Sequence, residues 1–345
     1  MLQIYLNASS FPSFPREVNT SLQAIYALLG ASKEDCFYFT RGSHSSLNQI
    51  FFSHHLNVVR ETGKNHVLTL ESSETHTEHV LKQIELLGWG AKKLPLNEQG
   101  QLAKQVLIEA VRPRTSLLSL SWVNGLTGVI QPVHEIADVC KQNGIRLHLD
   151  ATFALGALFF RLSDLDIDFL SFDGAFLKAP VGTGGFFAKS SLLIERNEEP
   201  NHIELAALVK SLDALMCNFD YLSTETARLR DKLEKGIQEG IKETHVFFQN
   251  VERLPNSCVI AFPGIASDTL HYLLQKRGIH ASQGGGYFPS LSSILISYGI
   301  DPFLAQTALQ FSLSYDTTES QIDFAIQEIV DLVKKIRPWS KELVL

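Results

Sequence analysis

The chain has 345 residues, of which 45% are hydrophobic, so it is long enough to bury a large core in one unit or two. Its net charge of −7 excludes the basic surface expected of a nucleic-acid-binding protein. The four cysteines are far apart without metal-finger spacing, and no apolar run is long enough to cross a membrane. The amino-terminal segment lacks the pattern of a secretory signal. We therefore predict a cytoplasmic protein that binds neither nucleic acid nor membrane.

Strand-like and helix-like segments alternate between residues 35 and 190. Short apolar runs predict buried strands at 66–70, 115–122, 145–150 and 166–172. Helical patterns lie between them at 76–88 and 132–144, and each ends at a glycine. This alternation predicts a parallel sheet that is covered by helices on both faces.

The pattern changes in the carboxyl-terminal part of the chain. A long helical pattern at 203–241 is broken at Asn218 and again near 223–226. Short strands then alternate with two helical segments, at 245–248, 257–262, 267–278, 309–314 and 318–336. Thr318 and Gln321 have capping-box spacing at the start of the last helix. We predict a large domain over residues 13–244 and a smaller α/β domain formed by residues 1–12 plus 245–345.

Two weaker motifs each allow two interpretations. His76 and His79 are three residues apart at the start of a helical pattern and are compatible with a shared metal, although exposed polar histidines are the commoner case. The segment QGGGY at 283–287 is compatible with a mobile flap over a site or with a flexible connector. Composition and motifs alone therefore predict no specific activity.

Several longer segments resemble a known family, in the same order along the chain. They are IYLNASSFPSFPREV at 4–18, FYFTRGSHSSLNQIF at 37–51, LSLSWVNGLTGVIQPVHEIADVCKQNGIRLHLDATFALG at 118–156, FLSFDGAFLKAPVGTGG at 169–185, and GIDPFLAQTALQFSLSYDTTESQIDFAI at 299–326. They resemble the NifS-type cysteine desulfurases, which are class-V members of the fold-type-I pyridoxal-phosphate transferases. The resemblance implies the fold-type-I α/β fold, with a mostly parallel sheet in the large domain and a smaller carboxyl-terminal α/β domain.

The resemblance also implies a cofactor pocket, and most of its matching residues differ here. Asp150 matches the acid that keeps the cofactor's pyridine nitrogen protonated, although an aspartate here is also suited to cap the following turn. Phe176 matches the Schiff-base lysine, with Ala175 before it in place of a histidine. Phe153 matches the glutamine that contacts the phenolic oxygen, so the resemblance implies that Phe153 and Phe176 lie close together near Asp150, in the space that the cofactor ring would occupy.

The positions that match the phosphate site differ as well. Asp173 matches a phosphate-binding serine, which would place one anion against another. His44 matches the threonine of the family's GAT loop, and Ser43 lies beside it.

The residues that the resemblance assigns to substrate are also replaced. Gly125 matches an asparagine, and Gln310 matches the arginine that binds the substrate carboxylate. The short segment at 281–290 matches the catalytic loop but contains no cysteine, and Cys258 falls within a predicted strand. The histidine over the cofactor ring matches either Glu74 or His76.

Lys178 is the one lysine close to the expected Schiff-base position. An extended backbone would place it about 6.6 Å beyond Phe176 on the same side of the strand. Ala179 precedes Pro180 and therefore favours that extended conformation. Two interpretations stay open: Lys178 anchors the cofactor, or it is a surface lysine, free or paired with an acid such as Asp173.

The sequence therefore supports two main hypotheses. The first is a non-catalytic binding or scaffolding homologue without a cofactor, dimeric as the resemblance implies, that binds an active paralogue, a sulfur-transfer partner or a small ligand. The second is a pyridoxal-phosphate enzyme of aminotransferase or lyase type that uses Lys178. A third, a different catalyst built on His44, Asp173 and Asp150, has no recognised nucleophile–base spacing to support it.

Overall fold

The computed structural model describes residues 16–192, 194 and 202–342. Residues 1–12, which we assign to the small domain, lie outside the described residues. Among the described residues, no helix combines the length and the apolar character needed to span a bilayer.

A seven-stranded sheet organises the first part of the described chain. Its strands are β1 (Asp35–Thr40), β2 (His66–Leu70), β3 (Gly90–Leu94), β4 (Thr115–Ser121), β5 (Arg146–Asp150), β6 (Phe169–Asp173) and β7 (Gly184–Lys189). The order across the sheet is β1-β7-β6-β5-β4-β2-β3. Only β7 is antiparallel to its neighbours, so the sheet is mostly parallel, as the sequence predicts.

Helices precede, follow and connect these strands. Within the described residues they are α1 (Arg16–Leu28), α2 (Ser43–His54), α3 (Arg60–Thr62), α4 (Thr75–Glu85), α5 (Lys104–Ala110), α6 (Val133–Gln142), α7 (His202–Cys217), α8 (Phe219–Tyr221), α9 (Ala227–Gly240), α10 (Ser267–Gln275), α11 (Leu291–Ser297), α12 (Pro302–Ala305) and α13 (Glu319–Glu342). Two π-helical segments, His55–Val59 and Leu222–Thr226, interrupt the longer helical stretches. The second interruption lies where the sequence predicts a break.

Consecutive strand residues point to opposite faces of a sheet, and in the large sheet the residues on both faces are buried. On β2, Val67 contributes to a core with α2 and α4, whereas Leu68 contributes to a core with α1, α6 and α7. The continuous apolar runs that predicted the strands are therefore explained by double coverage.

A second, three-stranded sheet lies in the carboxyl-terminal part. It consists of β8 (His245–Phe247), β9 (Ser257–Ala261) and β12 (Ala308–Ser312), all antiparallel, with β9 in the centre. Helices α9, α10 and α13 cover it with a separate apolar core. The short pair β10 (Gly284–Gly285) and β11 (Phe288–Ser290) forms a hairpin of its own.

The capping box predicted for the last helix is present. Thr318 N–H donates to Gln321 Oε1 at 2.9 Å, and Gln321 N–H donates to Thr318 Oγ1 at 3.4 Å. This helix packs closely on α9, where Gly240 lies so near Val330 that an added Cβ would be 2.5 Å from its methyl group. The division at residue 244 stays a prediction, since residues after it, such as Phe248, also join the core of the large sheet.

A buried ion pair supports the connection between the two sheets. The Arg253 guanidinium donates to both carboxylate oxygens of Glu234 on α9, at 2.6 and 3.0 Å, and both side chains are almost fully buried. The backbone of Arg253 also forms a β-bridge with Val129, which follows β4.

We expect Arg253→Met to lower the free energy of unfolding by about 3 kcal/mol, because Glu234 would stay buried without its charge partner. Lys235→Met is the control, since Lys235 forms an exposed pair with Glu239 and its loss should cost well under 1 kcal/mol. Urea denaturation of both variants measures the difference. Equal effects would contradict the role assigned to the buried pair.

Candidate ligand site

Two acids predicted from the sequence, Asp150 and Asp173, lie with Ser121 at the carboxyl ends of three parallel strands. Ser121 ends β4, Asp150 ends β5 and Asp173 ends β6. Helix α2 begins beside them at Ser43, and the hairpin residue Tyr287 lies over them. Open α/β sheets usually bind ligands at this edge.

Asp150 is the buried centre of the group. One carboxylate oxygen accepts the Thr152 N–H at 2.8 Å, and the other accepts the Ser43 hydroxyl at 3.4 Å. The first of these bonds is the turn-capping contact that the sequence allows. Burial raises the pKa of Asp150 to about 6, and the nearby charge of Asp173 acts in the same direction.

A second buried carboxyl group, Glu74, lies next to Asp150. It accepts the Ser121 hydroxyl at 2.6 Å. Burial and the charge of Asp150 raise the pKa of Glu74 to about 7. The site therefore contains two acids whose ionised forms are both disfavoured.

His76 lies against the same acids. Its Nε2 atom is 4.0 Å from an Asp150 oxygen, and its Nδ1 atom is buried without a hydrogen-bond partner. Burial lowers the pKa of His76 to about 4, so the imidazole is neutral at pH 7. The expectation that His76 and His79 are both exposed is wrong for His76, because the first turn of α4 faces the site; His79 is exposed.

The carboxylate of Asp173 accepts hydrogen bonds from two backbone N–H groups. Its Oδ2 accepts the Ser43 N–H at 3.0 Å, at the first turn of α2, and its Oδ1 accepts the Ala175 N–H at 3.0 Å. The fit is close at Gly42, where an added Cβ would be 2.7 Å from Oδ2. A carboxylate is favourable here, because the amino end of a helix carries partial positive charge. His44, the next residue of α2, is exposed and its ring is 6.3 Å from that of His79.

Four aromatic rings pack together above these acids. Phe153 and Phe176 have their ring centroids 5.1 Å apart, which confirms the contact predicted between them. Tyr287 is 4.4 Å from Phe176, and Phe288 is 5.5 Å from Phe153. The rings leave no room for a side chain at Gly125, where an added Cβ would be about 2.5 Å from Phe153.

Tyr287 joins the aromatic group to the acids. Its hydroxyl donates to Ser43 Oγ at 2.9 Å, its carbonyl accepts the Thr75 N–H at 3.0 Å, and its ring is 4.8 Å from His76. Burial and the charges of Asp150 and Glu74 raise its pKa. The phenol is therefore neutral and fixed in place.

Lys178 points to a different group of residues. Its Nζ donates to Asp316 Oδ2 at 3.0 Å and lies 3.6 Å from the centroid of the Tyr315 ring. The predicted extended backbone is wrong: Gly174–Leu177 form a 3₁₀ turn, and Lys178 itself has a left-handed conformation with φ of 62°. The partner suggested from the sequence, Asp173, is not the one observed, because that turn directs the lysine toward Asp316 instead.

Gln310 forms hydrogen bonds with neutral groups, and Cys258 is buried. The Gln310 amide donates to Ser257 Oγ at 3.3 Å and to the Gly125 carbonyl at 3.4 Å. Cys258 lies in β9 as predicted, fully buried, and burial raises the pKa of its thiol.

Comparison with known proteins identifies the family. The family model described as aminotransferase class V matches residues 13–198. A cysteine desulfurase IscS of Clostridium botulinum is 27% identical over 358 residues, covering 97% of this chain and 89% of the relative. A cysteine desulfurase of Nostoc sp. is 28% identical over 357 residues, covering 97% and 88%.

Solved structures share the fold. A NifS-like protein superposes with a TM-score of 0.83 at 23% identity, covering 92% of this chain and 87% of the other. A NifS-like protein from Rickettsia africae gives a TM-score of 0.80 at 20% identity, covering 94% and 91%. The chain therefore belongs to the aminotransferase class-V family, which depends on pyridoxal phosphate. Within that family it is of the NifS type, similar to cysteine desulfurases.

Tyr287, Phe288 and Ser121 are the site residues that the sequence does not predict. A signal for the first two exists in QGGGYF, where aromatic residues follow three glycines that all have positive φ. That segment allowed either a flap or a connector, and only the fold places it over the site. Ser121 gives no signal, since a serine at a strand end is common.

The two raised pKa values predict how stability depends on pH. Glu74 and Asp150 favour folding when protonated, so their contribution is complete below their unfolded pKa values near 4 and is lost as the pH rises through 6 to 7. We expect Glu74→Gln to increase the free energy of unfolding at pH 8 by on the order of 2 kcal/mol, and to change it little at pH 4. Urea denaturation at both pH values measures this. A constant difference across that range would contradict it.

The position of Asp173 predicts that its removal opens an anion site. We expect Asp173→Ser to lower the melting temperature and inorganic phosphate to restore part of it, because the Ser43 and Ala175 N–H groups lose their anion. The melting temperature of the unmodified protein should not respond to phosphate. The control is Asp301→Ser, since Asp301 accepts two backbone N–H groups at the exposed start of α12. A similar phosphate response in that variant would show a non-specific salt effect.

Proposed function

We propose that this protein is a non-catalytic binding or scaffolding member of the NifS-type branch, and that it holds no pyridoxal phosphate. The observation that carries the proposal is the aromatic ring of Phe176 at the position that matches the Schiff-base lysine. That ring contacts Phe153 and Tyr287, so an aromatic side chain stands where the resemblance implies an amine.

The contacts of Asp173 give independent support. A bound phosphate needs charge-assisted donors, and the N–H groups at the start of α2 already serve a carboxylate. A phosphate placed there would meet a negative charge within a few ångströms. Of the cofactor contacts that the resemblance implies, the buried acid Asp150 is retained, whereas the Schiff-base and phosphate residues do not fit.

Desulfurase chemistry lacks its expected residues. The segment 281–290 has no cysteine to act as the sulfur acceptor. Cys258 is buried in a strand with a raised pKa, which disfavours the reactive thiolate. Gln310 offers an amide, already bonded to neutral groups, where the resemblance implies a cation for the substrate carboxylate.

The proposed binding role includes a partner or a small ligand. We propose a cytoplasmic homodimer, as the family resemblance suggests, that engages an active paralogue or a sulfur-transfer protein. The exposed aromatic side chain of Phe159, with Phe219 6.2 Å away, supplies apolar surface suited to association. The main alternative function is a class-V aminotransferase or lyase in which Lys178 anchors pyridoxal phosphate.

A single labelling experiment separates these functions. The purified protein is incubated with pyridoxal phosphate, reduced with borohydride and digested for mass spectrometry. We expect no unique lysine to be labelled, no visible absorption before reduction, and no sulfide release from L-cysteine above a no-enzyme control.

The matched variants are Lys178→Ala, which removes the only candidate anchor, and Lys141→Ala, a surface lysine that is likewise paired with an aspartate. Saturable labelling that Lys178→Ala abolishes and Lys141→Ala leaves unchanged would overturn the proposal in favour of the alternative enzyme. Cofactor-dependent sulfide release that Cys258→Ser abolishes would also overturn the proposal, in favour of cysteine desulfurase activity.

A further inference from the structure

A cavity of about 290 Å³ lies beside the aromatic group and is separate from the buried acids. Its apolar wall includes Phe153, Phe176, Leu177 and Leu215. This volume is at the lower end of the range for small-molecule sites, so it suits a compact ligand.

The lining of the cavity also includes polar side chains and one charged side chain. Ser312, Ser314 and Tyr315 line it, and Lys178 is the charged residue in the lining. No carboxylate is among the lining residues in the described part of the chain. An apolar cavity with a single ammonium group is complementary to a ligand that has one negative charge and an apolar body.

The conformation of Lys178 supports a role for its side chain. A left-handed backbone is unfavourable for residues with a Cβ, and glycine is the usual residue there. Its carbonyl accepts the Ser211 hydroxyl at 3.2 Å, which fixes the turn. The ammonium contacts the ring of Tyr315, which also lines the cavity, and the carboxylate of Asp316.

The geometry points to a binding site for a small monocarboxylic acid with an apolar or aromatic body, whose carboxylate is bound by Lys178. The body packs on Phe153 and Phe176, and the carboxylate accepts a hydrogen bond from Nζ. This inference rests on the proposed non-catalytic function, because it requires Lys178 to be a free ammonium rather than a cofactor anchor.

The ion pair with Asp316 leaves room for this contact. An ammonium group has three N–H donors, and Asp316 takes one of them. The Asp316 side chain is 70% exposed, so its pairing energy in water is small. Asp316 therefore orients the lysine but competes only weakly with a bound carboxylate.

The test uses calorimetric titration of the full chain at low ionic strength with two matched probes, 3-phenylpropionate and its neutral amide. We expect the acid to bind more tightly than the amide. Lys178→Met should weaken binding of the acid about tenfold and leave binding of the amide unchanged, since it removes a charge-assisted hydrogen bond and keeps the side-chain volume. Asp316→Asn should strengthen binding of the acid about threefold, because a competing anion is removed.

Lys141→Met is the control, since Lys141 pairs with Asp166 on the surface and does not line the cavity. It should leave both affinities unchanged. Equal binding of acid and amide, no binding of either, or an acid preference that survives Lys178→Met would each overturn the inference. Borohydride labelling distinguishes the two failures: a labelled Lys178 defeats the proposed function, whereas an unlabelled protein without acid preference defeats only this site.

Discussion

The carboxylate of Asp173 satisfies the donors at the point where β6 and the start of α2 meet. Without an anion, the partly buried Ser43 N–H group and the exposed Ala175 N–H group would both lose the acceptor that they share. An external phosphate is one solution to that constraint, and an internal carboxylate is another. In this chain the carboxylate of Asp173 accepts both N–H groups.

The consequences extend to the two buried acids. Burial raises the pKa values of Asp150 and Glu74, the charge of Asp173 adds to the effect on Asp150, and burial keeps His76 neutral beside them. Tyr287 covers the group with a neutral phenol, whose hydroxyl donates to Ser43. The result is a compact polar cluster in which the carboxyl groups accept hydrogen bonds, whereas His76 Nδ1 stays without a partner.

Lys178 lies outside this cluster, and that separation changes what the residue is suited to do. A lysine that attacks a carbonyl must lose its proton. Partial burial works against the charge of Lys178, but the hydrogen bonds that its ammonium donates to Tyr315 and Asp316 prevail and raise its pKa. A permanent ammonium at the edge of an apolar cavity is suited to binding an anion. The fold thus presents two neighbouring sites: the polar cluster around Asp150, which Tyr287 covers, and the cavity that Lys178 lines.

The sequence by itself determined four parallel strands of the large sheet, the helices that alternate with them, the capping box of α13 and the strand position of Cys258, and its resemblance to the family predicted the contact between Phe153 and Phe176. These features depend on local periodicity or on residues aligned at the ends of adjacent parallel strands. Only the tertiary structure decided the burial of His76, the position of Tyr287 over Asp150, and the direction of Lys178. Each of these depends on a turn or hairpin whose backbone conformation is set by contacts with residues distant in sequence, such as Tyr287 with Ser43 and Lys178 with Asp316. Glycine-rich and turn segments have several accessible conformations, and packing against distant elements selects one of them.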